Sequence, residues 1–143
     1  MKITKNINDL NFKCLDCNDY NEGLKIANKL KLVCSFGSNK NAVGLAHNQI
    51  KGNKKVYITK YNNKSCHYIN AKIIKKSSKS YYTTEGCMSY KKPNKVKRYN
   101  WVIIKHLTKN GYIEEKFEGF LASIHQHEIQ HLNGIDIHHQ KID

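Results

Sequence analysis

A chain of 143 residues is the right length for one domain around one buried core, so the sequence predicts a single domain over residues 1–143. Five cysteines, an odd number, argue against a closed disulfide framework and for a reducing, cytoplasmic setting. The N-terminus carries no apolar leader and no run approaches the length of a membrane span, so no membrane association is expected. The formal net charge of +14 points to anionic surroundings or partners, with nucleic acid or a ribonucleoprotein surface foremost, against the plainer reading of solvated surface lysine. The lysines are scattered along the chain and form no basic block with interleaved aromatics.

In chain order, residues 1–20 are polar and weakly patterned, and Cys14 and Cys17 make a lone Cys-x-x-Cys, a weak signal without a second pair. Asn21 as cap, Glu22 in the first turn, and Leu24, Ala27, Leu30 and Val33 at helical spacing predict a first helix over 22–33. The run Ala42-Val-Gly-Leu-Ala-His-Asn-Gln49 follows, its Gly44 suited to close backbone approach and its Gln49 able to donate from an amide. After a turn at Gly52-Asn53, strands are expected over 55–61 and 67–75, with a turn at 77–80 and another strand over 81–84. That strand delivers Glu85-Gly-Cys-Met-Ser89. A basic loop over 91–97 holds the only proline, Pro93, and is followed by strand 101–107, a turn at Lys109-Asn-Gly111, and strand 112–118. The last helix is expected from Glu118 or Gly119 to about Leu132, ended by Asn133-Gly134. The fold class is therefore α+β, with antiparallel strands packed around the C-terminal helix and one N-terminal helix.

That last helix carries Gln126-His-Glu-Ile-Gln-His131. Residues four apart share a helix face, so His127 and His131 aim at one metal ion with Glu128 beside them. A tetrahedral catalytic site needs a third protein ligand and one open position. The other six histidines, the five cysteines and the carboxylates all compete for that role. His67 and His106 lie in strand patterns, His138 and His139 in a short tail, and His125 points away from its neighbour two residues on. Cys87 lies at a strand end among small and polar residues. Its plain alternative is a buried, inert thiol, and the residue pattern alone leaves the third ligand open.

Three stretches together resemble one family, peptide deformylase. Ala42-Val-Gly-Leu-Ala-His-Asn-Gln49 is similar to its first motif, Glu85-Gly-Cys-Met-Ser89 to its second, and Gln126-His-Glu-Ile-Gln-His-Leu132 to its third, in the family's order. Tyr68-Ile-Asn70 and Val96-Lys-Arg98 resemble supporting segments. Ala42 replaces a glycine, His47 an alanine, Met88 a leucine and Gln130 an aspartate. His47 is expected near the pocket rim. The chain also resembles the short, virus-encoded forms, which lack the C-terminal helix of longer bacterial members.

The resemblance implies removal of the formyl group from N-terminal formyl-methionine of nascent proteins. It implies Cys87, His127 and His131 as ligands of one divalent metal, Fe(II) in the cell, with Zn(II), Ni(II) and Co(II) as alternatives. It makes Glu128 the proton shuttle and gives the Gln49 amide and the Met88 backbone N–H to the oxyanion. Phe120 and Ile124 share the helix face of the histidines and, with Val43, are expected to line a pocket for the methionine side chain, against plain core packing. Gly44 leaves room for the peptide backbone to pair along the first motif. Glu85 and Arg98, the only arginine, are expected to form an ion pair behind Cys87. The implied partners are nascent formylated peptides and, through the basic surface, the ribosome or its RNA. Two rivals remain: another metallopeptidase with the His-Glu-x-x-His helix, and a basic nucleic-acid-binding module with structural zinc.

Overall fold

The computed structural model describes residues 2–139. Its elements are α1 (Tyr20–Val33), β1 (Gly44–Ala46), β2 (Val56–Tyr61), β3 (Lys64–Ile69), β4 (Lys72–Lys76), β5 (Ser80–Cys87), β6 (Tyr90–Tyr99), β7 (Trp101–Thr108), β8 (Gly111–Glu118) and α2 (Gly119–Leu132). The strands form three antiparallel sheets ordered β1-β2-β3, β4-β7-β8 and β5-β6. Helix α2 packs against β1, β2, β4, β6, β7 and β8, so the expected α+β arrangement around the C-terminal helix holds.

Strand β2 explains how one short chain supports two cores. Its side chains alternate between faces: Val56 and Ile58 join Leu30, Val33 and Leu45 under α1, while Tyr57 joins Val102, Ala122 and Ile129 around α2. All of these side chains are buried, so the central strand is apolar on both faces there. Gly23 lets α1 lie this close to the sheet, because a Cβ there would stand 2.5 Å from Ile69.

Several boundaries differ from expectation. The cap of α1 is Asp19, whose carboxylate accepts from the Glu22 N–H at 2.8 Å, and not Asn21. The strand expected over 67–75 is two strands: Asn70 adopts φ 53° and breaks the run between β3 and β4. The loop expected over 91–97 is part of strand β6. Pro93 is accommodated because β6 pairs only with β5, and the register shifts beside it, between Glu85 and Cys87. Asn62 and Asn63, both at positive φ, close the β2–β3 hairpin, so β3 begins three residues before the expected start. Gly134, at φ +77°, ends α2 as expected.

Candidate active site and metal centre

Three segments meet at one face of α2. The end of β5 brings Cys87, the short 3-10 turn His47–Ile50 brings Gln49, and α2 itself brings His127, Glu128 and His131. Among the described residues, Cys87, His127 and His131 form a group whose ligand atoms all lie within 4.8 Å of one another. Cys87 Sγ is 3.4 Å from His131 Nε2, and the two imidazole rings are 4.9 Å apart between centroids. A tetrahedral ion with sulfur at ~2.3 Å and nitrogen at ~2.1 Å has ligand separations of about 3.4–3.6 Å. The cysteine–histidine distance therefore fits a divalent cation without movement of the backbone.

Glu85 Oε1 lies 2.8 Å from His127 Nδ1, which holds a proton on that nitrogen and leaves Nε2 free to ligate. Arg98, 1% exposed, donates to both Glu85 oxygens, Nε to Oε2 at 2.8 Å and Nη2 to Oε1 at 2.7 Å. The expected ion pair is thus present and two-pronged, a geometry that lysine cannot supply. Burial pushes the Glu85 carboxyl upward, but the bonds from His127 and Arg98 outweigh it and hold it below the ordinary range. Burial also opposes charge on His127, yet Glu128, Cys87 and Glu85 raise it to about 10, while burial drives His131 down to about 3. Without an ion, His127 therefore carries a proton that a cation would displace, and the carboxylates and thiol that favour that proton would favour the cation in its place, beside a neutral His131.

Glu128 is buried, and its Oε1 has no hydrogen-bond partner. Loss of hydration raises its carboxyl to about 7. A buried carboxylate oxygen with nothing to bind is costly in a plain core, and its value suits proton exchange near neutral pH. Gly44 lies against it: a Cβ there would be 2.6 Å from Glu128 Oε2. Gln49 is fixed by accepting from the Ala46 N–H at 3.0 Å, and its amide donates to Ser89 Oγ at 3.2 Å and toward Cys87 Sγ at 3.6 Å.

A cleft of about 520 Å³ opens over these groups, lined by Val43, Gly44, Gln49, Glu85, Cys87, Met88, Phe120, Ile124, His127 and Glu128 among others. Val43 is 44% exposed, Phe120 55% and Ile124 3%, so two of the three expected pocket residues present free apolar surface and the third forms the floor. The cleft brings together all the expected site residues except His131 and Arg98, which lie behind it.

His125 does point away, bonding Tyr57 Oη at 2.7 Å and stacking on Phe117. Cys14 and Cys17 belong to different core clusters, and burial raises their thiols to about 11 and about 12. His47 is not on the cleft rim: its Nδ1 accepts from the Lys54 N–H at 3.1 Å, and its ring fills the space beside Gly52. Gln130 accepts from Arg98 Nη1 at 2.8 Å, so the residue standing where the resembling family has aspartate completes the arginine's hydrogen bonding without adding charge. Sequence reasoning missed the contact of Ser89 with the Gln49 amide, although the serine lies inside the second motif.

Comparison with known proteins agrees with this geometry. The sequence matches the polypeptide deformylase family over residues 5–142. A peptide deformylase of Clostridium beijerinckii is 38% identical over 96 residues, covering 66% of this chain and 70% of that protein. The structure of a class I type b peptide deformylase of Acinetobacter baumannii with Met-Ala-Ser bound superposes with a TM-score of 0.87 at 27% identity, covering 98% of both chains. That of a Vibrio parahaemolyticus bacteriophage deformylase in complex with actinonin gives 0.85 at 26% identity, covering 96% of this chain and all of the other. The chain belongs to the polypeptide deformylase family, the hydrolases that remove the formyl group from N-terminal formyl-methionine.

Proposed function

We propose that residues 1–143 form one catalytic domain, acting in the cytoplasm on nascent formylated peptides, with Cys87, His127 and His131 holding a divalent ion. The observation that carries this is the convergence of a thiol and two imidazoles within 4.8 Å beside a buried, unpartnered carboxylate. When bound, the ion supplies Lewis acidity at the site. Glu128 takes a proton from the attacking water and passes it to the leaving amine. The Gln49 amide and the Met88 N–H donate to the oxygen of the formyl carbonyl as it gains negative charge, each worth on the order of a hundredfold or more in rate. Val43, Phe120 and Ile124 receive the methionine side chain, and Gly44 keeps the β1 edge open to the peptide backbone. The Cys-His-His set suits Fe(II) as the ion in the cell and also takes Zn(II), Ni(II) or Co(II). Cys87 distinguishes this reading from that of the other His-Glu-x-x-His peptidases.

The test is metal analysis of anaerobically purified protein followed by hydrolysis of formyl-Met-Ala-Ser with Fe(II) and then Zn(II). One ion per chain and formate release are expected. Absence of bound metal, or metal retained after Cys87→Ala, would refute the ligand set.

A second reading concerns the basic surface. The structure gathers lysines that the sequence scatters: Lys75, Lys76 and Lys97 surround a separate cleft of about 350 Å³ with Tyr99, and no carboxylate lines it. Lys76 Nζ and Lys97 Nζ lie 4.3 and 5.6 Å from the Tyr99 ring centre. Crowded cations beside an aromatic ring fit an RNA backbone, and we assign this face to the ribosome or its RNA. Binding to ribosomal RNA that weakens with salt, with a shallower slope after Lys75→Ala, Lys76→Ala and Lys97→Ala together, is the expected result; an unchanged slope would contradict the assignment.

A further inference from the structure

The two groups assigned to the oxyanion come from short segments outside the main helices and sheets. Gln49 sits in a 3-10 turn, and Met88 in the two-residue connection between β5 and β6. Their own contacts hold them in part, Met88 through the Cys87–Tyr90 pair that flanks it and Gln49 through Ala46 and Ser89, and bonds from outside the segments tighten both further. Here both are fixed by adjacent residues of the N-terminal arm. The Thr4 N–H donates to the Gln49 carbonyl at 2.7 Å. Lys5 Nζ donates to the Met88 carbonyl at 2.6 Å, across 83 residues of sequence.

The arm is anchored well enough to serve this role. Ile3 is buried in the core cluster against which the Met88 side chain also packs. Thr4 is buried too, its Oγ1 donating to Asp9 Oδ2 at 2.5 Å and accepting from the Asn6 N–H at 3.1 Å. Lys5 does not line the substrate cleft, so it touches the reaction only through Met88. The Met88 N–H lies in the peptide plane it shares with the Cys87 carbonyl at the end of β5, and the Lys5 bond holds the next plane through the Met88 carbonyl. Only the φ and ψ of Met88 join the two planes, so fixing the second limits the rotation left to the first. An ammonium donor also makes a stronger bond to the carbonyl than a neutral group would.

We propose that Thr4 and Lys5 clamp the N-terminal arm across the oxyanion site, with Lys5 as a positioning residue that holds the Met88 N–H through the Met88 carbonyl. The proposal rests on the deformylase reading above. A donor aimed at charge that develops only in the transition state affects kcat more than KM. A lysine that merely tethers the arm would affect thermal stability and leave kcat intact.

The test is steady-state hydrolysis of formyl-Met-Ala-Ser by the metal-loaded full chain and its Lys5→Ala and Lys5→Arg variants, with Tm measured in parallel. Lys13→Ala, which removes another exposed lysine from the same N-terminal region, controls for net charge. Lys5→Ala is expected to lower kcat on the order of tenfold, part of the hundredfold lost with a whole donor. KM and Tm should change little, Lys5→Arg should recover most of the rate, and Lys13→Ala should match wild type. An active wild type with unchanged kcat in Lys5→Ala would overturn the clamp alone, as would an equal loss in Lys13→Ala or a loss of Tm without loss of kcat. A wild type that releases no formate would overturn the reading of the reaction, and the clamp with it.

Discussion

At the scale of single residues, the site depends on a few side chains held without slack. Gly44 shows it most simply. A methyl group added at its Cα would stand 2.6 Å from Glu128 Oε2, so the buried carboxylate itself would have to move to admit it. Gly44→Ala is therefore expected to cost on the order of a hundredfold in kcat/KM, the penalty typical of displacing a catalytic group by an ångström, while metal content stays at one ion per chain; activity within twofold of wild type would show that Glu128 has a second workable position. The grouping of Cys87 with the two histidines was legible in the sequence only through motifs that resemble a known family, and the Glu85–Arg98 pair because one arginine among many lysines marks a need for a planar donor. Gln130 and His47 were not. Their roles depend on which neighbour each meets, Arg98 in one case and Gly52 with Lys54 in the other, and those neighbours lie outside their own motifs.

At the scale of elements, α2, β7 and β8 follow their sequence patterns to within a residue or two, since their apolar spacing is regular and Asn-Gly pairs punctuate them. The errors fall where punctuation is carried by asparagine alone or overridden by tertiary pairing. Asn70 has no glycine or proline beside it, yet it turns the chain at φ 53°. Its side chain also accepts from the Cys17 N–H at 2.6 Å and donates to the Cys17 carbonyl at 3.1 Å, tying the N-terminal segment to the β3–β4 corner. Asn70→Ala loses these two bonds and a third from its amide to Tyr112 Oη at 3.3 Å, at about 1 kcal/mol each, and strains the left-handed backbone by about 1–2 kcal/mol more. Asn70→Gly keeps the backbone and loses only the bonds, so denaturant unfolding should rank wild type above Asn70→Gly above Asn70→Ala. The reverse order of the two variants would remove backbone conformation from the explanation. Strand β6 was hidden for another reason. Its two buried residues are Val96 and Arg98, and only the first is apolar, because Arg98 is placed there to bond Glu85.

At the scale of the whole molecule, a formal charge of +14 means that acid adds positive charge to an already cationic surface. Asp136 is one of the groups that resists this. Burial pushes its carboxyl up, but bonds from Tyr90 Oη at 2.5 Å, His139 Nδ1 at 2.6 Å and the His138 N–H at 2.9 Å hold it below its ordinary 3.8. A folded-state value below the unfolded one contributes stability that is present above about pH 4 and lost as pH falls through the folded value. Asp136→Asn should therefore lower stability at pH 7 and flatten its decline below pH 4; a decline as steep as wild type would place the acid sensitivity elsewhere. Among the described residues no helix is long and apolar enough to cross a membrane.

Three distant motifs converge on one cleft, where the proposed reaction has Glu128 move the proton while Cys87, His127 and His131 hold the ion. Its most direct test is release of formate from formyl-Met-Ala-Ser by Fe(II)-loaded wild type and Glu128→Gln, with bound metal measured in both. The expected result is turnover in wild type, a loss of at least about a hundredfold in the variant, and one ion per chain in each. Equal turnover in the two proteins, or none in the metal-loaded wild type, would contradict it.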